Sequence, residues 1–468
     1  MSATTKKSQR ATPRRNPNEP QLRPERELRR IADTVLRLAK ARGVPETEVH
    51  VEEVIDALTR FANNTIHQNV AEHGVTVSIR TAVDGRTARG TTNRVDEDAL
   101  RSAIENCLSL AESQPRDSHL LSMPGKQKYR KVNRFMPATA VLSAEDRARA
   151  VKRTCDLAGK NDQVAAGIFA SGQTQTLLAN SRGLLASYRQ TLAEFSVTMQ
   201  QGSAASWAKA NSADVRGVDP VALAKRASEK VRLAQNPIEL APEHYTVILE
   251  PAAVLDLIGS LFYDFAATAV EDKRSCFSGR VGKLLLGKNI SITDDVYHAE
   301  QTGGPYDGEG MPRERVTLVD RGVIKNLVYS RRSAKKARRK STGHGFTLPN
   351  DYGEAPMNVV VAGGKSSVSE MVASTKRGLL VTRLWYIREV DPYEKIMTGM
   401  TRDGLYLVEN GKITKAVRNF RFNQSVLEML RNVELLGPAH RTSGEESFEM
   451  VVPAMRVNQF HMSEVTKF

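Results

Sequence analysis

Residues 164–212 read VAAGIFASGQTQTLLANSRGLLASYRQTLAEFSVTMQQGSAASWAKANS. Apolar and polar residues alternate along much of this stretch, as they do where successive side chains point to opposite faces of a strand. The runs Gly167–Ser171, Thr176–Ala179, Ser187–Gln200 and Ala204–Asn211 are expected as strands. Gly172, Asn180-Ser181-Arg182-Gly183 and Gly202 separate them, and these are residue types that suit turns. Strand-like runs joined by such turns predict an antiparallel meander.

Upstream, Leu28, Ile31, Val35, Leu36 and Leu38 recur near the helical period, and Gly43 stops the pattern. Val75, Val77 and Ile79 then alternate, Asp84-Gly85 supplies a turn, and the chain returns through Thr87 to Gly90. A helix from about Asp96 to Glu112 buries Leu100, Ile104, Leu108 and Ala111. Another starts near Ala144, where Ser143 with Asp146 makes a capping-box pattern. Asp219-Pro220 opens one more, with aspartate as cap and proline in the first turn.

Downstream, Pro237 and Pro242 set a boundary near residue 240. A strand Tyr245–Leu249 and a continuous helix from Pro251 to Val270 are expected next. Short strands then dominate: Ile290–Thr293, Arg315–Val319, Val323–Tyr329, Met357–Val361, Gly378–Ile387, Gly404–Glu409, Lys412–Phe422 and Phe448–Val452. Ser367 with Glu370 caps one interrupting helix. The expectation is an α+β fold: an α/β N-terminal region over 27–240, divisible near residue 125, then a β-rich antiparallel C-terminal domain over 241–468. Residues 1–26 are basic and proline-rich with little to bury, and are expected as a disordered tail. No fixed-period repeat is visible.

Composition narrows the function classes. With 468 residues the chain can hold two or three domains, and 40% apolar with 26% charged residues is ordinary for a globular protein. Cys107, Cys155 and Cys276 are far apart, so neither a disulfide framework nor a cysteine zinc site is expected. No apolar stretch reaches the length of a spanning helix, and no signal-type apolar core opens the chain; a cytoplasmic protein without membrane contact is expected. The net charge of +15 is concentrated in the first thirty or so residues and in Arg331-Arg332-Ser333-Ala334-Lys335-Lys336-Ala337-Arg338-Arg339-Lys340. On a helix these cations cover more than one face, so the run faces solvent, an anionic partner or an acidic substrate segment. Aromatic residues do not interleave with it, which weakens a single-strand nucleic-acid reading.

The familiar catalytic signatures are missing. A zinc peptidase helix places two histidines at i and i+4 with a glutamate beside the first. None of the nine histidines has that spacing or is followed by glutamate. Gly363-Gly364-Lys365-Ser366 resembles the end of a phosphate loop, but Val359 stands where the pattern requires glycine, so a strand-to-helix turn is expected. There is no G-x-S-x-G, and Cys276 reads as a small core residue. Gly303-Gly304-Pro305-Tyr306-Asp307-Gly308-Glu309-Gly310 is unusual: four glycines beside two carboxylates, suited either to acid/base work or to capping a turn.

Several segments, in order, resemble the TldD/PmbA family, known also as modulators of DNA gyrase. They are Asn180-Ser181-Arg182-Gly183, Ser275-Cys276-Phe277-Ser278-Gly279, Ile292-Thr293-Asp294-Asp295, Tyr306–Gly310, Ser341-Thr342-Gly343 and Glu409-Asn410-Gly411. The resemblance runs from about residue 50 to the C-terminus. It implies dimers enclosing a cleft where unfolded peptide is cut. In the catalytic branch an H-E-x-x-x-H helix and a late cysteine hold zinc. Here Tyr263 and Thr268 stand at the histidine positions and Asp264 at the glutamate, with no cysteine beyond Cys276. The pattern is like the TldE/PmbA branch, so the resemblance implies a family member without a zinc site or cofactor of its own. Its expected partner is a TldD-like zinc peptidase subunit, or a second copy of itself. Tyr306, Asp307, Glu309, Thr342, Gly343 and His344 fall in the matched loops and are the candidates for the substrate cleft. Two alternatives stand beside this reading: an interaction protein that binds nucleic acid or an acidic partner through its basic segments, and a divergent self-sufficient metallopeptidase with ligands from His298, His344 and carboxylates.

Overall fold

The computed structural model describes residues 20–466. The tail expected through residue 26 falls mostly outside them, and the first helix begins within its span. The N-terminal region runs α1 (Glu25–Ala41), β1 (Glu46–Ala62), β2 (Thr65–Val83), β3 (Arg86–Thr92), α2 (Glu97–Ser113), α3 (Pro137–Ala140), α4 (Ala144–Lys160), β4 (Val164–Asn180), β5 (Leu185–Gln201), β6 (Ala204–Ser212) and α5 (Pro220–Leu233). The six strands form one sheet in the order β3-β2-β1-β4-β5-β6, with every neighbouring pair antiparallel.

That order reveals a duplication that no sequence period announced. A helix, three strands and a helix occur twice, and β1 and β4 pair at the centre. Each half has its own core. Leu28, Val35, Leu100 and Ile104 pack on Val49 and Ile79 in the first. Val151, Ala224 and Val231 pack on Phe169, Phe195 and Val197 in the second. The caps are those expected: Ser143 and Asp146 form the full capping box, and the Asp219 carboxylate accepts from two backbone N–H groups of α5.

One expected break is absent. β4 runs unbroken through Gly172, which pairs with both Asp56 and Leu192. A Cβ at Gly172 would lie 2.7 Å from an Asp56 carboxylate oxygen, so this glycine admits a neighbour's side chain and makes no turn.

The C-terminal domain runs β7 (His244–Leu249), α6 (Pro251–Ile258), a 3-10 turn over Gly259–Phe265, α7 (Ala267–Glu271), β8 (Ile292–Asp294), β9 (Val316–Asp320), β10 (Val323–Ile324), α8 (Arg331–Lys336), β11 (Val359–Val361), α9 (Val368–Ala373), β12 (Arg377–Asp391), β13 (Ile396–Glu409), β14 (Lys412–Ala416), β15 (Phe420–Ser425), α10 (Val426–Arg431), β16 (Val433–Thr442) and β17 (Met450–Val465). β17, β15, β13, β12 and β7 pair in a closed circuit, and β11, β8, β9 and β10 extend the sheet from β17. The fold is α+β, as expected, but this sheet is mixed. β12–β7 and β11–β17 are parallel pairs, which only crossover connections allow.

Other strand expectations need correction. Lys412–Phe422 divides into β14 and β15; Val323–Tyr329 keeps only two strand residues; Phe448–Val452 is the start of a strand reaching Val465. Gly363 and Gly364 do form a strand-to-helix turn, pressed on β16: a Cβ on Gly364 would lie 2.4 Å from the Leu436 carbonyl. Among the described residues no helix is long and apolar enough to cross a membrane.

Candidate functional site

The continuous helix expected over Pro251–Val270 does not exist. α6 ends at Ile258, and Ala266 adopts an extended conformation. The backbone there is taken by another segment: Val328 N–H donates to Phe265 O at 2.9 Å, and Ala267 N–H to Val328 O at 3.1 Å. Gly259 also lets β17's approach come close, since a Cβ there would meet Ser447 Oγ at 1.9 Å. Tyr263 and Thr268 therefore sit on either side of a break and do not share a helix face.

Each of the three side chains is bound internally. The Tyr263 hydroxyl donates to Tyr352 O at 3.0 Å, and the two rings meet edge to face at 6.4 Å. Asp264 is buried; its Oδ1 accepts Cys276 N–H at 2.8 Å, and Lys395 Nζ lies 2.6 Å from its Oδ2. Directional hydrogen bonding to Oδ2 is lacking, so the Lys395 contact is an ion pair held by charge. Lys395 Nζ is also 2.6 Å from Glu389. Burial works against the charge on Lys395, but Asp264 and Glu389 outweigh it and hold the ammonium above the ordinary lysine range. Burial, then the Asp264 charge, push the Cys276 thiol up, so it stays protonated.

Thr268 gives both its N–H and its hydroxyl to Glu354 Oε1, at 2.8 and 2.9 Å. Glu354 Oε2 accepts Ser330 N–H and the Ser333 hydroxyl, at 3.1 and 2.8 Å. This set does not fit zinc, which needs imidazole, thiolate or carboxylate donors with free lone pairs. The carboxylate already faces an ammonium, and the tyrosine and threonine hydroxyls donate to oxygens. Among the described residues no group of three His, Cys, Asp or Glu side chains is arranged to hold a metal ion.

The cleft candidates come together, but largely beneath the surface. Asp307, Glu309 and His344 are 3%, 4% and 1% exposed. Asp307 organises the glycine-rich loop: Oδ1 accepts Glu309 and Met311 N–H, and Oδ2 accepts Gly345 N–H, all within 2.9 Å. Burial nevertheless raises its pKa. Glu309 Oε2 accepts the Arg331 N–H at 2.7 Å, and burial with the Asp307 charge pushes its carboxyl up to about 7. Tyr306 bonds Thr176 Oγ1 at 2.7 Å and packs on Tyr129. Thr342 Oγ1 accepts Tyr329 N–H at 2.8 Å and meets His344 Nδ1 at 3.0 Å. His344 Nε2 lies 3.0 Å from buried Asp294; burial opposes ionisation of that carboxyl, but His344, Arg313 and the Asn358 N–H together outweigh it and hold its pKa low. Gly343, at φ +71°, lets the loop touch Pro312: a Cβ would stand 2.0 Å from its carbonyl oxygen. His298 lies apart from this network, accepting Glu300 N–H at 3.3 Å.

Glu354 joins the two groups through Ser330, next to the Arg331 that Glu309 holds. Neither Glu354 nor Lys395 was singled out from sequence. Each is an isolated charged residue, and no spacing rule marks it.

Large side chains stand exposed beside Tyr263 and on the β12–β13 hairpin. Tyr352, Tyr386, Val390 and Tyr393 are 68%, 53%, 57% and 54% exposed. Two depressions open beside them. One, of ≈ 490 Å³, is bounded by Phe262, Ile387, Met397 and Phe448 with Arg388 and Glu446. The other, of ≈ 500 Å³, is bounded by Val270, Cys276, Arg280 and Tyr393.

Three domain models of one family match the chain. PmbA/TldA metallopeptidase domain 1 covers residues 47–111, the central domain 135–235 and the C-terminal domain 242–464. An uncharacterized protein of Methanocaldococcus jannaschii is 23% identical over 63% of this chain and 69% of its own length. A metalloprotease TldD homolog of Buchnera aphidicola is 27% identical over 35% of this chain, a match that spans 34% of that protein. The crystal structure of TldE from Thermococcus kodakarensis superposes with a TM-score of 0.85 at 21% identity, covering 92% of this chain and all of that one. At that identity the likeness establishes the fold.

Proposed function

Because the chain belongs to the PmbA/TldD metallopeptidase family, we propose that it is a non-catalytic, TldE-like subunit paired with a zinc-bearing TldD-type subunit in the cytoplasm. The pair would enclose a cleft that takes unfolded peptide, with zinc and the activated water supplied by the partner. The observation that carries this reading is Lys395. Its ammonium lies against Asp264, which the sequence resemblance aligns with the glutamate of the zinc motif, and so ties up the carboxylate that would otherwise activate water.

The exposed Tyr352, Tyr386, Val390 and Tyr393 support the pairing, because large aromatic side chains are enriched at interfaces. A partner subunit covering these side chains would also close over the two depressions. A second copy of this chain is the alternative partner.

The test is co-purification from native cells with zinc measured per complex, followed by peptide hydrolysis by separate and mixed subunits. The expected result is a zinc-bearing partner at equal stoichiometry and hydrolysis only by the mixture. Cleavage by the isolated chain after chelation would overturn the reading. A zinc-free homodimer with no recruited partner would refute the heteromeric assignment.

A further inference from the structure

Two basic segments far apart in sequence lie together on the surface. The first is Lys126-Gln127-Lys128-Tyr129-Arg130-Lys131, in the irregular stretch between α2 and α3. The second is α8 and the residues after it, through Lys340. Contacts made by residues that flank each segment bring them toward one another. The Arg331 guanidinium donates to Ser122 O at 2.7 Å, and Arg332 pairs with Asp117 at 2.9 Å. The Tyr129 hydroxyl donates to Gly310 O at 2.8 Å, one residue from the Glu309 carboxylate that accepts the Arg331 N–H. Arg182 joins the same edge, sharing Glu46 with the Met123 N–H.

Lys126, Lys128, Lys131, Lys335, Arg338 and Lys340 are all exposed, and among the described residues none of them has a carboxylate partner. A solvated charge run needs no fixed neighbour. Here the fold ties a second basic segment beside the first, despite the mutual repulsion of the cations. Such a surface carries a positive potential that favours an extended anion and is screened by salt over about 10 Å.

We propose that this composite surface binds an acid-rich stretch of polypeptide. The inference rests on the reading of this chain as a peptide-handling subunit and names a preference within it. The aromatic rings nearby are half-buried and each is engaged by another side chain. The Arg130 guanidinium lies 4.3 Å over Tyr297, Arg339 lies 5.7 Å over Tyr329, and Tyr129 packs on Tyr306. Each of these rings already has a partner in the fold, which disfavours the base stacking of single-strand binding. Flexible lysine ammoniums act as mobile point charges and suit irregularly spaced carboxylates. The surface also begins at Gly310 and Arg331, the loop and helix that the candidate site shares.

Fluorescence anisotropy on the full chain tests this with three labelled probes: a short Glu/Asp-rich peptide, the same peptide with Gln/Asn, and a DNA duplex. The acidic peptide is expected to bind at least about tenfold more tightly than its amide counterpart, less so as salt rises. Two triple variants, Lys126→Glu/Lys128→Glu/Lys131→Glu and Lys335→Glu/Arg338→Glu/Lys340→Glu, are each expected to weaken it by about tenfold or more. These cations are exposed, and thermal melts check that the variants stay folded. Unchanged affinity in either variant would overturn the composite site. Equal binding of the two peptides, or no binding of either, would overturn the acid preference while leaving intact the peptide-handling reading, which hydrolysis by the mixed subunits tests. Tighter binding of the duplex than of the acidic peptide would reassign the surface to nucleic acid.

Discussion

Asp264 and Glu309 are carboxylates buried to the same degree in one domain, yet the fold treats their charges in opposite ways. Asp264 meets the Lys395 ammonium at 2.6 Å. Glu309 meets one backbone N–H and, close by, another carboxylate, and its carboxyl rises to about 7. Burial raises the cost of charge at both positions, so the presence of a cation decides between them. Asp264 has been supplied with a cation from the chain itself. The neighbouring loop has not, and its acids titrate instead.

The largest test of that contrast is Lys395→Met, which strands the Asp264 carboxylate. Loss of a buried partner costs about 3–5 kcal/mol, read as a fall in the urea midpoint. Asp264→Asn is expected to cost less, because Lys395 keeps Glu389. The double variant should recover part of the loss. If Lys395→Met proves no worse than Asp264→Asn, Lys395 is not what neutralises this site.

A comparable effect is expected from pH. The Glu309 carboxyl is raised in the folded state, so the native protein holds a proton that the unfolded chain releases at lower pH. The associated stability is fully present below the ordinary glutamate range and is lost as pH rises toward about 7. Asp256, pushed up to about 7 mainly by burial, adds a slope of the same sign. Glu309→Gln removes the glutamate's share, on the order of 3 kcal/mol over that window. Denaturation midpoints across the pH range check this, and an undiminished slope in the variant would assign the titration elsewhere.

The smallest effect concerns Glu354, a third buried carboxylate, held by neutral donors alone. Thr268→Val removes one of four hydrogen bonds to it and leaves the backbone donor in place, for a loss of about 1 kcal/mol. A loss as large as that of Lys395→Met would mean that neutral donors match an ammonium here, and the distinction between the sites would dissolve.

Where local chemistry decides the structure, the sequence was a good guide. Capping pairs such as Ser143 with Asp146 and Ser367 with Glu370 lie within one turn, and both caps are formed. The helix faces of α1 and α2 follow their apolar spacing, because each face is buried on an adjacent strand. The failures occur where distant backbone intervenes. Val328 broke the helix expected over Pro251–Val270, and Asp56 occupies the space that makes Gly172 a strand residue. The candidate site followed the same division. The matched loops flagged Asp307, Glu309 and His344, but not that these side chains face inward.

The sequence by itself therefore determined the family, the α+β class, the caps and turns, and the lack of any histidine pair at zinc-helix spacing. All of these are carried by neighbouring residues or by ordered motifs. Only the tertiary structure decided that the N-terminal sheet is a duplication, that Lys395 serves Asp264, and that residues 126–131 lie beside 331–340. Those outcomes depend on contacts between residues from 106 to 215 positions apart, beyond any local pattern's reach, and burial, which sets their energies, exists only once the chain has folded.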